Sequence, residues 1–124
     1  MADNVEQKHV GEVTDATWDE VVTNEEEVPV FVDFWAPWCG PCRMVGPVVE
    51  QLSGEYEGRM KFVKLNTDEN PMVSSQYGIR SIPTLAVFYK GEPIHAMMGA
   101  GPLGHMRQFL DASLEKVPGN IIVP

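Results

Sequence analysis

Two cysteines are all that this chain of 124 residues carries, too few for a disulfide scaffold. No apolar run approaches the length of a membrane span, and the opening "MADNVEQKHV" lacks the basic region and apolar stretch of an export signal. Both absences lead to the expectation of a cytoplasmic protein, in the cytosol or an equivalent soluble compartment. Basic residues are scarce, nine Lys and Arg against eighteen Asp and Glu. That balance excludes nucleic acid and anionic membrane surfaces as partners, because both demand a basic patch. Three histidines without mutual spacing supply no metal site beside two cysteines. Internal repeats, low-complexity tracts and Gly/Ser linkers are also missing, so one domain is expected over residues 1–124, with its core at about 10–116 and a short tail at 117–124.

What is present suits such a domain. The apolar fraction of 44% is enough for one core without metal or disulfide staples. The acidity is concentrated: Met1 to Glu27 holds nine acids against Lys8 alone, while Val28 to Pro124 holds nine acids against eight bases. A solvated face explains this run, with steering toward a basic partner as the functional alternative.

Local patterns alternate strand and helix. "HVGEV" reads as a weak strand, and Thr17-x-x-Glu20 as a capping box opening a short helix through Val22. "VPVFVDFW" is nearly all β-branched or aromatic, the mark of a central strand covered on both faces. Val45, Val48, Val49, Leu52 and Tyr56 recur at helical spacing, which predicts a helix from near Cys39 to about Gly58, kinked by Pro47. "KFVKLN" is a third strand, and Asn70-Pro71 to Gly78 a short capped helix. "TLAVFY" and "PIHAMM" form a hairpin turning at Gly91. A last helix from Pro102 carries Leu103, Met106, Leu110 and Leu114 on one face and is stopped by Pro118 and Gly119. His95 and His105 read as surface residues, and the apolar tail "VPGNIIVP" is open to docking or to fraying. The order βαβαβα then ββα specifies an α/β fold: a central mixed sheet of about five strands flanked by four helices, on both faces.

The two cysteines stand at i and i+3, between a strand and a helix start, in "FVDFWAPWCGPCRM". That spacing brings their backbones to about 5–6 Å, within disulfide reach. Cys39 lies where free N–H groups and the positive end of the helix dipole favour a thiolate. Cys42, one turn inside, is expected to be less exposed and to keep its proton longer. Cys39 then attacks a disulfide in another protein, and Cys42 resolves the mixed disulfide. Gly40 lets a foreign chain approach, while Pro41 fixes the first turn and donates no N–H. Three other readings compete. A structural disulfide would close only a four-residue ring, a zinc site would lack ligands, and two inert buried thiols would leave the motif without purpose.

"WAPWCGPC", followed by "KLNTDENP", "YGIRSIPT" and the late "GA", resembles the thioredoxin family from about Val10 to Lys116. The resemblance implies the thioredoxin fold and a redox-active Cys39–Cys42 disulfide. It assigns Asp33, the one ionisable residue of the central strand, to accept the proton of Cys42, with Lys64 as its companion. Taken alone, a strand Asp is more often structural, although burial would raise its pKa. By resemblance Ile82 and a cis Pro83 present backbone groups to substrate, and Trp38, Met98, Gly99 and Ala100 form an apolar holding surface. Trp35 is read as core. Thr67 departs from the family, many of whose members have an apolar residue there.

The implied activity is protein-disulfide reduction, with thioredoxin reductase as electron donor and disulfide-containing client proteins as substrates. The donor draws on NADPH or ferredoxin, and this chain needs no cofactor or metal of its own. A monomer is the default. Two alternatives stay open: a disulfide oxidase or isomerase, and a binding or chaperone-like module whose thiols are dispensable.

Overall fold

The structure is a computed structural model that describes residues 10–118. Asp3, Glu6, Lys8, His9, the Gly119 stop and the rest of the tail lie outside the described residues. Five strands form one sheet in the order β1-β3-β2-β4-β5: β1 Val10–Glu12, β2 Val30–Trp35, β3 Lys61–Asn66, β4 Thr84–Tyr89 and β5 Glu92–Met98. β1, β3 and β2 run parallel, whereas β4 is antiparallel to β2 and β5 antiparallel to β4. Four helices cover it: α1 Asp19–Thr23, α2 Gly40–Glu55, α3 Pro71–Gln76 and α4 Leu103–Glu115. The mixed sheet with helices on both faces is the architecture that the alternating pattern specifies.

Period-two alternation divides the apolar residues of each strand between two cores. Phe31, Phe62, Leu85 and Val87 meet Val45, Val49 and Leu52 of α2 and Met106, Phe109 and Leu110 of α4 on one face. Val30, Val32, Phe34, Val63, Leu65, Ala86 and Phe88 meet Trp18, Val22 and Val73 on the other. This two-sided burial is why β2 reads as a continuous apolar run.

β3 and β4 match their sequence-predicted limits, and β5 begins one residue early. Lys90 and Gly91 both have positive φ, the primed turn that joins twisted antiparallel strands. A Cβ at Gly91 would also come within 3.1 Å of the Thr23 carbonyl oxygen.

Helix ends differ from the sequence reading in three places. The Thr17/Glu20 capping box does not form, because the Thr17 hydroxyl accepts from the Thr14 N–H at 2.9 Å. α1 instead winds as one wide turn, with the Asn24 N–H donating to the Asp19 carbonyl at 2.8 Å. α2 ends at Glu55 rather than Gly58; the chain then turns so that buried Tyr56 donates its hydroxyl to Asp111 of α4 at 2.6 Å. Asn70 does not cap α3 with its side chain. Asp15 does so from fifty-seven positions away, accepting from the N–H groups of Met72 and Val73 at 3.0 and 2.9 Å. The Asn70 amide oxygen accepts the Asp15 N–H, which closes the clasp.

His95 is half-buried instead of lying on the surface: its ring stacks on Phe109 at 4.4 Å and Nδ1 meets the Ser113 hydroxyl at 2.8 Å. His105 is exposed, as expected.

Candidate functional site: a cysteine pair at the end of the sheet

Three parallel strands deliver their C-terminal ends to one edge of the fold. The starts of α2, α3 and β4 lie there, with the end of β5 beside β4. Open α/β sheets place their reactive groups at this edge, where loops leave the strands.

β2 ends at Trp35, and four residues later Cys39 stands as N-cap of α2 with extended backbone, φ −88° and ψ 111°. Gly40 and Pro41 follow in the first turn, and Cys42 closes it. A Cβ added at Gly40 would meet no atom within 4 Å, so the space beside the sulfurs is open. Cys39 and Cys42 are joined as a disulfide, their Cα atoms 5.2 Å apart. The Cys42 N–H donates to Cys39 Sγ at 3.2 Å, so a backbone donor at the helix start faces the sulfur where thiolate charge would develop.

Exposure does not distinguish the two cysteines. Each is 4% exposed, contrary to the expectation that Cys42 is the less exposed of the two. In the disulfide both sulfurs pack with Ala36, Trp35 and Ile82, which cover them together.

Cys39 Sγ lies 3.7 Å from the Ile82 carbonyl oxygen, and the Ile82–Pro83 bond is cis. The Pro83 carbonyl accepts the Gly99 N–H at 2.7 Å, which brings "SIPT" and the late "GA" to the same place. Gly99 has φ of 88°, a conformation that any side chain would strain. Ala100 is exposed next to it. Met98 pairs with Thr84 in the sheet, and the Ser81 hydroxyl donates to its sulfur at 3.3 Å.

Trp38 and Met98 are 67% and 74% exposed, which is costly unless another surface covers them. Trp38 is nevertheless fixed, its indole N–H donating to Asp68 at 2.9 Å. The preceding loop is pinned where Arg43 donates to the Pro37 carbonyl at 2.8 Å. Sequence reasoning missed Asp68 and Arg43. Trp38 and Asp68 are thirty positions apart, and only the pairing of β2 with β3 brings them together.

Asp33 is buried on the face covered by α2, the same face as Phe31, and its Oδ1 has no hydrogen-bond partner among the described residues. Burial raises its pKa from 3.8 to about 7, with the Lys64 charge opposing. Lys64 is its register partner on β3, but its ammonium lies over the Trp35 ring, 5.1 Å from the centroid. Trp35 is thus half-buried, sandwiched between the disulfide cluster and a lysine, instead of belonging to the core. Thr67 donates both its hydroxyl and its N–H to the Trp35 carbonyl, at 3.1 and 2.8 Å, a tie that an apolar residue could make only with its N–H.

A family model described as Thioredoxin matches residues 9–112, nearly the whole of this sheet and site. The chain belongs to the thioredoxin family. It is 55% identical over 103 residues to Thioredoxin 1 of Nostoc sp., covering 83% of this chain and 95% of that protein. To the thioredoxin of Synechocystis sp. it is 56% identical over 105 residues, 85% of this chain and 94% of that one. Thioredoxin M-type, chloroplastic, of Chlamydomonas reinhardtii is 53% identical over 104 residues, 84% of this chain and 74% of that protein. With its cysteine pair within disulfide distance, this member of the family is a protein-disulfide reductase, a thiol–disulfide oxidoreductase. Among the described residues, no helix is long and apolar enough to cross a membrane.

Proposed function

We propose that Cys39 is the nucleophile and Cys42 the resolving thiol of this reductase. The observation that carries the assignment is the Cys42 N–H aimed at Cys39 Sγ from the first turn of α2. In the reduced chain the Cys39 thiolate attacks one sulfur of a client disulfide, a mixed disulfide forms, and one client thiolate leaves. Cys42 then loses its proton to Asp33 and attacks Cys39 Sγ, which expels the second client thiolate. Two electrons have passed to the client, and the chain is left with the Cys39–Cys42 bond. A carboxyl titrating at about 7 suits that proton transfer, since it can accept and return a proton near neutrality. Lys64 keeps it from rising further. Trp38, Gly40, Pro41, Ile82, Pro83, Met98, Gly99 and Ala100 form the surface on which the client segment rests, with the Ile82 carbonyl beside the sulfur offering a strand-like hydrogen bond.

A thioredoxin reductase restores the dithiol, the chain acts as a monomeric single domain over residues 1–124, and no cofactor of its own is needed. Its compartment is cytoplasmic or an equivalent reducing one. Chloroplast naming of the Chlamydomonas reinhardtii relative supports the second possibility, because the same site would serve inside an organelle.

Insulin reduction with dithiothreitol tests the assignment. The parent chain should accelerate precipitation, Cys39→Ser should not, and Cys42→Ser should accumulate a mixed disulfide. Full activity in Cys39→Ser would overturn it.

A further inference from the structure

Four large apolar side chains stand exposed among the described residues: Trp38, Met44, Met72 and Met98, at 67%, 78%, 74% and 74%. Single exposed apolar residues scattered over a surface need no explanation, but these are not scattered. Trp38 lies in the β2–α2 loop, Met44 in the opening turns of α2, Met72 in the first turn of α3, and Met98 at the end of β5. All four therefore sit at the sheet end that carries the disulfide. The opposite end exposes Glu26, Glu27, Arg59 and Lys90. Met44 and Met72 belong to helices on opposite faces of the sheet, so the apolar surface spans its end from one side to the other.

Three charged groups at this end are engaged within the chain. Asp68 accepts from Trp38, Arg43 donates to the Pro37 carbonyl, and Asp15 caps α3 beneath Met72. Glu69 and Arg80 are also exposed at this end, so the surface is marked by its large apolar side chains and not by an absence of charge. Methionine, unbranched and polarizable, moulds itself to differently shaped apolar surfaces.

We propose that Met44 and Met72 are specificity-determining residues that extend client docking beyond the segment flanking the disulfide. The occupant is a folded, disulfide-bearing protein whose apolar surface surrounds its disulfide on both sides. The proposal rests on the reductase reading and adds to it that Met44 and Met72 bear on protein clients more than on small disulfides, which bring no surrounding surface with them.

The test uses the full-length chain and its double variant Met44→Ser/Met72→Ser. Both positions are exposed, and circular dichroism should confirm an unchanged fold. With insulin as substrate the variant should show a rise in KM of about tenfold at nearly constant kcat, the signature of lost binding area. With 5,5′-dithiobis(2-nitrobenzoate), a small disulfide, the change should be several-fold less. Glu26→Gln, at the far end of the sheet, serves as control. A second readout is peroxide oxidation of the insulin mixed disulfide formed by Cys42→Ser, in which Met44 and Met72 should react more slowly than in the free chain. An insulin KM equal to that of the parent, or equal losses on both substrates, would overturn the proposal. So would protection of Met98 alone, which would leave the reductase reading intact. A parent chain without insulin activity would instead bring down that reading itself.

Discussion

Asp33 and Lys64 are register partners on neighbouring parallel strands, yet among the described residues no hydrogen bond reaches the buried Oδ1 of Asp33, and the lysine ammonium lies over the Trp35 ring. The carboxyl is therefore shielded from water and influenced by its cation only through charge. That arrangement costs stability and makes the carboxyl proton labile near neutral pH.

The cost has a definite sign. The folded chain holds the Asp33 proton up to about pH 7, while the unfolded chain releases it near 3.8, so the folded state binds more protons between these values. Stability from this group is fully present below pH 3.8 and is lost as pH rises through 7. Asp33→Asn should thus leave stability at pH 3.5 nearly unchanged and raise it at pH 8 by up to about 4 kcal/mol, read from urea unfolding of the oxidised protein. Equal gains at both pH values would show that the carboxyl is not protonated in the fold.

The same carboxyl should shape reactivity. Across pH 6 to 9 the rate at which Cys42 resolves a mixed disulfide should follow the Asp33 titration in the parent and lose that inflection in Asp33→Asn. Lys64→Met removes the charge that lowers the Asp33 pKa, so the inflection should move to higher pH. An inflection that stays in place in both variants would separate Asp33 from the proton transfer.

Reduced Cys39 should alkylate with an apparent pKa below the ~8.5 of free cysteine, because it caps α2 and meets the Cys42 N–H. Iodoacetamide kinetics against pH measure this directly. A midpoint at or above the free value would remove the basis for naming Cys39 the nucleophile.

Asp68→Ala should release the Trp38 indole. Both groups are exposed, so unfolding stability should change by less than about 1 kcal/mol. The KM for insulin should rise a few-fold while kcat holds, and fluorescence anisotropy should report greater motion of Trp38. A stable variant with unchanged KM would mean that the bond is incidental to docking.

Asp15→Ala should cost about 1–2 kcal/mol, since two N–H groups at the start of α3 lose their acceptor. Asp15→Asn, which keeps an oxygen acceptor, should recover part of the loss. Equal destabilisation by both variants would point to a contribution from the charge.

Much of this protein was legible from its residues in order. Alternation against helical spacing marked the strands and the helices α2 and α4, because burial of apolar side chains imposes those periods on any chain, and Pro71 with Gly78 marked α3 by its ends. The disulfide-competent spacing of Cys39 and Cys42 was equally local, as was the apolar strand that makes Asp33 conspicuous. Local rules failed wherever a partner arrives from elsewhere in the chain. Thr14 takes the hydroxyl that Thr17 would have used as a cap, Asp15 replaces Asn70 at α3, and Asp68 holds Trp38. The equal shielding of both cysteines and the gathering of Met44 and Met72 beside them also depend on which ends of the strands meet. Sequence determined the elements and the reacting atoms, since these follow from covalent spacing and local periodicity. Tertiary structure alone decided what surrounds those atoms, because contacts across dozens of residues exist only once the sheet has brought them together.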